Sequence, residues 1–440
     1  MISEPLTITS LAASGAGIAR DSSGKVYFIR GGIPQDQLTC LIQKSSSSFN
    51  RGTIHTIISP SPLRQAARVQ CEVYRRCGGC TWMDIDHSQQ LQWKKEMLVQ
   101  ALTKHLPESM VSKVTISLGP TSHPWHYRSR LQLRLHVTDQ GVIKIGYFAS
   151  GSHSLIPIKT CPIATPVLQK VIVKLSQLSG QKILPSACKM TLLLQEIATS
   201  SELNKAPVAV MILNTNPPHT DVTGFINWLN KHVSICAKRG SYSGLALWDQ
   251  YQDVEYWGSP ASFFQSHKIG NDDLRQMIAN KAHDIGAHTV YDLYAGSGNL
   301  SLLMVADGKQ VTGIEESPAS VCGAEFSRKQ LLSKRSGLKG FSRYYQGKSE
   351  RDIRVRAQNK EVFDLVMLNP PRSGAGNLLH YLTEVAREHL FYVSCYPLSL
   401  AADLGKLYRR GDFKHIESIT IFDFYPHTPH FETWVHFCKN

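Results

Sequence analysis

No stretch of this sequence approaches the roughly 18 uninterrupted apolar residues that a membrane-spanning helix needs, and the first turn carries Glu4 where a secretion signal would begin with basic residues. The expectation is a soluble, cytoplasmic protein. Acidic residues are in short supply: 34 Asp and Glu stand against 48 Lys and Arg, a formal net charge of +14. That excess favours a polyanionic partner, nucleic acid first and an anionic membrane second. No internal repeat is visible, and low complexity is confined to Ser45 to Ser48, read as a loop or hairpin tip. Ten Cys in 440 residues are too few for a disulfide scaffold, so clustered thiols point to metal binding or catalysis in a reducing compartment.

A hydrophobic content of 42% is enough for each of two to four domains to bury a core. Residues 1–58 alternate short apolar runs (Leu6 to Leu11, Val26 to Ile29, Leu38 to Ile42, Thr53 to Ile58) with Gly and Ser turns. Four or five strands at that spacing predict a small β-barrel of the oligonucleotide-binding type, or a β-domain that only packs on its neighbour. Pro60 and Pro62 mark a boundary. Residues 59–259 predict a central α+β domain with a Cys-rich loop and a helix from Ser88 to about Leu106. In that helix Leu91, Lys94, Lys95 and Leu98 combine an apolar stripe with a basic face. From 260 to 440, strands at Thr289 to Leu293, Gln310 to Ile314, Leu365 to Leu368 and Phe391 to Val393 alternate with helical stretches, the signature of a doubly wound α/β sheet.

Cys395 ends the apolar run Leu390 to Val393 and precedes Pro397, which places a thiol at the rim of that sheet, where open α/β folds bind ligands. A Cys in such a place is more often a small buried hydrophobe, but three neighbours weigh against that reading. The run Asp292 to Asn299 is a strand end, a glycine turn and a helix start, with Glu315 about 20 residues on at the end of the next strand, where a carboxylate can accept both ribose hydroxyls. The arrangement suits S-adenosylmethionine or a nicotinamide dinucleotide. The third glycine of the dinucleotide fingerprint is lacking, with Ser301 in its place. Asn369, Pro370, Pro371 and Arg372 follow the strand Leu365 to Leu368; the prolines stiffen the loop so that the polar residues at its ends can be fixed beside a planar substrate. Glu432 follows Pro426, His427 and Thr428.

Cys71, Cys77, Cys80 and Cys161 form a second constellation, with Gly78 and Gly79 between two of them and Pro162 after the last. Four thiolates can hold an iron–sulfur cluster or a structural zinc; the spacing is looser than a zinc ribbon, which favours the cluster. Cys40, Cys188, Cys236, Cys322 and Cys438 lack such neighbours and are expected to be core residues.

Taken together, the Cys-rich loop, Gln265 after Phe263 and Phe264, the glycine loop, Pro-Pro-Arg, Ser-Cys and the terminal Pro-His-Thr with its Glu resemble the RNA uracil carbon-5 methyltransferases. The variant with both an N-terminal TRAM barrel and four Cys is most similar to the 23S ribosomal RNA enzymes. The resemblance implies a Rossmann-like S-adenosylmethionine-dependent methyltransferase domain, a 4Fe-4S cluster on Cys71, Cys77, Cys80 and Cys161, and donor contacts from Gln265, Tyr294, Asn299 and Glu315, with Asn369 at the same site. It further implies Cys395 as the nucleophile, Glu432 as the base, RNA as the partner of a monomer, and a helix at 88–106 that packs on the catalytic domain. The chain departs from the family at Asn369, where Asp is usual, at Tyr396 and His267, where Asn is usual, and at Lys348, where a polar donor-binding residue is expected. Three rivals follow: a transfer-RNA T-loop uridine methyltransferase, an amino methyltransferase acting on a purine, and a catalytically silent RNA-binding relative.

Overall fold

The computed structural model describes all residues except 121–122, 179–182, 199–205, 239–243, 260–261, 336–341 and 440. No helix among the described residues is long and apolar enough to cross a membrane. The N-terminal sheet has six strands where four or five were expected, in the order Leu6–Thr7, Gln37–Ser45, Phe49–Ser59, Val26–Arg30, Gly17–Arg20, Ser10–Leu11. All pairs are antiparallel except Val26–Arg30 with Phe49–Ser59. Alternation turns Tyr27 and Ile29 inward onto Leu6, Ile8, Ala19, Leu38 and Cys40, and burial pushes the Cys40 thiol up to about 11. Gly52 is obligatory here, because a Cβ would sit 2.2 Å from the carbonyl oxygen of Leu41 on the paired strand.

A buried ionic knot fastens this sheet to the Cys-rich loop. The Arg64 guanidinium lies 2.6 Å from Asp36 of the N-terminal domain and 2.9 Å from Asp84, with both carboxylates and the guanidinium out of solvent, and it also donates to the Gly31 carbonyl at 2.7 Å. Truncating the shared cation leaves buried Asp36 with no cationic partner, while Asp84 keeps Arg75 at 2.7 Å. Arg64→Met is therefore expected to cost about 3–5 kcal/mol, read as a lower denaturation midpoint with an unchanged m-value.

The central sheet runs Leu155–Pro157, Ile143–Phe148, Arg130–Val137, Lys189–Glu196, Ala206–Asn216, Val233–Lys238. Its apolar side is covered by helices Pro166–Ser176 and Thr223–Asn230, whose Leu168, Ile172, Phe225 and Leu229 are buried there.

The third sheet has eight strands in the order Arg343–Gln346, Gln310–Glu315, Thr289–Leu293, Phe363–Leu368, Ala386–Ser394, Glu432–Cys438, His415–Phe422, Ile116–Leu118. The first five are mutually parallel; Phe363–Leu368 and the second half of Ala386–Ser394, inside the sheet, carry nearly continuous apolar runs, as strands buried on both faces do. Glu432–Cys438 runs antiparallel to both neighbours. Chain order reverses between Thr289–Leu293 and Phe363–Leu368, so the ligand crevice of this fold lies at the carboxyl ends of those two strands.

Two early elements complete this sheet. Ile116–Leu118 pairs in parallel with His415–Phe422 as the edge strand. The helix His87–Leu102 packs on Pro397–Arg409, sharing a core in which Trp93, Leu98 and Leu102 meet Leu400 and Leu404. The expected basic face of the helix is corrected here: Lys94 is fully buried, and its ammonium lies 2.5 Å from Asp423. Burial alone would raise the Asp423 carboxyl; Lys94 and His87 instead hold it down to about 2. Gln90 on the next turn accepts from the His427 amide at 2.7 Å. The helix therefore clamps the loop that leads to Glu432.

Candidate active site

At the switch point the chain leaves the first strand through Tyr294, whose backbone is left-handed (φ 62°), and through Gly296 (φ 58°) and Gly298 (φ 75°). A side chain at Gly296 would meet nothing within 4 Å, so the turn needs glycine for its backbone conformation and open space lies above it. The Glu315 carboxylate accepts from the Gly296 amide at 3.1 Å and the Ser317 amide at 2.8 Å. This fixes the loop and leaves each oxygen a further lone pair for a ribose hydroxyl. Ser301, which stands where a third glycine was expected, braces the strand from within. Its buried hydroxyl donates to Asp292 at 2.5 Å and meets the Tyr344 hydroxyl at 2.8 Å. Burial, offset in part by Ser301, raises Asp292 to about 7.

The expected donor contacts are distributed unevenly. The Tyr294 amide is tied to the Ser349 hydroxyl at 3.2 Å. The Asn369 amide sits 3.4 Å from the Leu293 carbonyl oxygen, across the crevice from the glycine loop. The Asn299 side chain turns back onto helix Lys268–Asp284, where Arg275 donates to it at 2.6 Å and Asn271 pairs with it. Gln265 lines a cavity of about 160 Å³ between the central sheet and that helix, together with Glu196, Asn271 and Arg275. Its buried Oε1 and the buried Ser297 hydroxyl have no hydrogen-bond partner among the described residues. The orphaned Ser297 hydroxyl, between Gly296 and Gly298 of the open turn, and the orphaned Gln265 oxygen in its own cavity each suit a polar ligand.

Of the departures, His267 caps helix Lys268–Asp284, its Nδ1 accepting from the Gly270 amide at 3.1 Å. Lys348 is exposed, 3.8 Å from equally exposed Glu316. Tyr396 acts through its backbone, its amide 3.2 Å from the Ser394 hydroxyl at the start of helix Pro397–Arg409.

Cys395 and Glu432 meet because their strands are antiparallel neighbours. Ser394 pairs with Thr433, so the next residues outward stand side by side. The Glu432 carboxyl is 1% exposed, and its Oε2 has no partner among the described residues. Burial raises it to about 8, against the attraction of Arg372. Burial and then the charge of Glu432 raise the Cys395 thiol, while the nearby Arg372 guanidinium lowers it. Arg372, which the sequence singled out only as part of a motif, is thus the shared cation of the pair. Arg372→Ala is expected to move the thiol titration upward, measured as the pH dependence of Cys395 alkylation.

Cys71, Cys77, Cys80 and Cys161 line one cavity of about 430 Å³ between the Cys-rich loop and the central sheet. The loop is pinned by the Gly78 amide donating to the Phe148 carbonyl at 3.1 Å, and by the Thr81 and Trp82 amides, which both donate to the His427 carbonyl at 3.0 Å. Four thiols around one cavity fit a thiolate-held metal group. Burial raises the Cys77, Cys80 and Cys161 thiols.

A groove of about 400 Å³ leads from the central sheet toward the reactive pair. It is lined by Arg128, Arg130, Gln132, Phe263 and Tyr425. Phe263 is 67% exposed at its mouth, and the Tyr425 phenol lies close enough to Cys395 and Glu432 for both to raise its pKa.

The fold and the switch-point crevice are those of a doubly wound α/β domain with open space for a ligand at the carboxyl ends of its strands. Residues 250–440 match the family model for tRNA (uracil-5-)-methyltransferase, which bears out the resemblance read from the sequence. The chain is 28% identical to an uncharacterized RNA methyltransferase of Bacillus anthracis, over 98% of this chain and 95% of that one. It is 29% identical to one of Protochlamydia amoebophila, over 98% and 96%. In fold it is similar to the Pyrococcus abyssi tRNA (uracil-54, C5)-methyltransferase in complex with S-adenosyl-L-homocysteine: TM-score 0.68 at 19% identity, covering 98% of this chain and 99% of that one.

Proposed function

We propose that the protein methylates carbon 5 of a uridine in RNA through a transient Cys395–uracil bond, acting as a cytoplasmic monomer. The observation that carries this reading is the juxtaposition of a rim thiol, a guanidinium and a buried, unpaired carboxyl at the mouth of a glycine-loop crevice. Carbon 5 of uracil is a poor nucleophile. Addition of the Cys395 thiolate to carbon 6 turns the ring into an enolate whose carbon 5 can take a methyl group. Arg372 favours the thiolate. Glu432, on the same face, then receives the carbon-5 proton, and loss of the thiolate restores the double bond. S-adenosylmethionine, held by Glu315, Gln265 and the Asp292 to Asn299 loop with Tyr294, Asn299 and Asn369 around it, supplies the methyl group when bound. The target base must leave its stack; Phe263 and Tyr425 offer aromatic faces, and Arg128 and Arg130 charge, for a splayed strand.

Cys71, Cys77, Cys80 and Cys161 are proposed to hold a 4Fe-4S cluster that staples the Cys-rich loop to the central sheet. The barrel together with four Cys favours 23S ribosomal RNA as the substrate; transfer RNA is the second reading, favoured by the name of the matching family model. The test is incubation with labelled donor and, separately, ribosomal and transfer RNA from cells lacking this protein, followed by mass mapping. Label at carbon 5 of a ribosomal uridine is expected. Donor binding with no label in either RNA would instead indicate a silent RNA-binding relative.

A further inference from the structure

The strand that ends at Cys395 carries a second polar group at its other end. His389 pairs directly with Cys438 across the antiparallel ladder, and His436 lies two residues back on the same face as Cys438. The His436 Nε2 and His389 Nδ1 atoms are 3.1 Å apart, and the Cys438 sulfur stands 3.2 Å from the first and 3.6 Å from the second. Two nitrogens and a sulfur bound tetrahedrally at about 2.05 and 2.3 Å to one zinc ion would be separated by about 3.3 Å, nitrogen to nitrogen, and about 3.6 Å, nitrogen to sulfur. The triangle is already the size of a metal site. We propose that His389, His436 and Cys438 bind a zinc ion as a structural clip between the start of strand Ala386–Ser394 and the end of strand Glu432–Cys438.

The donor set matches the ion: imidazole and thiolate are the ligands zinc takes in structural sites, and a hard cation would want oxygens. His436 and Cys438 are almost wholly buried and His389 is partly so, leaving one open side for a fourth ligand. The second nitrogen of His389 faces the Glu388 carboxylate at 4.0 Å, the kind of outer partner that orients a ligating imidazole. Glu388 and Glu417 lie near enough to raise the Cys438 thiol further, after burial, to about 12. Coordination overrides that preference, because a bound cation deprotonates the thiol, and the same two carboxylates then offset the charge of the ion. Lys281 and His415 are the opposing groups in the vicinity. The site is separate from the reactive pair. His389 lies six residues from Cys395, roughly 20 Å along an extended strand, and the edge-to-face rings of Phe391 and Trp434 stand between them on the shared face.

The test uses the full-length protein and Zn²⁺, with Co²⁺ as a spectroscopic reporter. The wild type is expected to hold one more zinc per chain than Cys438→Ser or His389→Gln, and to show a thiolate-to-cobalt charge-transfer band that Cys438→Ser abolishes and Cys77→Ser leaves in place. Zinc affinity at this site should fall at least about 100-fold on loss of either ligand. His389→Gln, at the more exposed position, serves if the buried Cys438 substitution impairs folding. Equal zinc content in the wild type and in folded Cys438→Ser and His389→Gln, or zinc lost only with Cys77→Ser, would overturn the proposal.

Discussion

Cys395→Ala is expected to lower methyl transfer by on the order of 10⁴-fold or more, the scale on which removal of a covalent nucleophile is felt, while donor binding stays within about twofold. The reason is chemical, because without addition at carbon 6 the ring has no electron-rich carbon 5 and no positioned neighbour can substitute for the missing bond. Single-turnover transfer of labelled methyl to RNA, beside equilibrium binding of the donor, measures both. Retained activity would turn the reading toward direct attack by a purine amino group, for which Asn369-Pro370-Pro371 is a suitable frame and which uses no thiol.

Glu432→Gln should fail at a different step. Addition and methylation need only the thiolate and the donor, but release needs a base for the carbon-5 proton. The variant is expected to turn over about 10²–10⁴-fold more slowly and to accumulate a protein–RNA adduct stable on a denaturing gel. The same substitution changes the pH dependence of stability. The folded Glu432 carboxyl keeps its proton up to about 8, against an ordinary value of 4.5. Between those values the folded state binds more protons than the unfolded one, so this group makes stability fall as pH rises. Gln carries no proton to lose, and the fall across that window should shrink by on the order of 4 kcal/mol. Denaturant midpoints at pH 5 and pH 8 check it; an unchanged difference between the two proteins would mean that Glu432 ionises normally in the fold.

Much of the catalytic sheet was legible because strands buried on both faces announce themselves as apolar runs. Val290 to Leu293 and Leu365 to Leu368 needed no alternation to be recognised, and the turn residues after them located the crevice. The allegiance of helix His87–Leu102 was not legible from its own composition. Lys94 reads as solvated in any local window, and only Asp423, more than 300 residues later, explains its burial. Cys438 is the buried core residue its sequence predicts, but its neighbour His389 is remote in sequence, so their pairing could not be read locally. Arg372 could be seen as part of a rigid motif, but its place between a thiol and a carboxyl depends on the register of two strands that join only in three dimensions.

The edge strand Ile116–Leu118 and the helix before it belong to a sheet whose other strands are made much later. During synthesis Leu98 and Ile116 must wait for partners that leave the ribosome last, so the catalytic half cannot mature as an autonomous unit. A polypeptide beginning at residue 250 would keep every proposed reactive group yet leave strand His415–Phe422 with an unpaired margin, prone to recruit a neighbour.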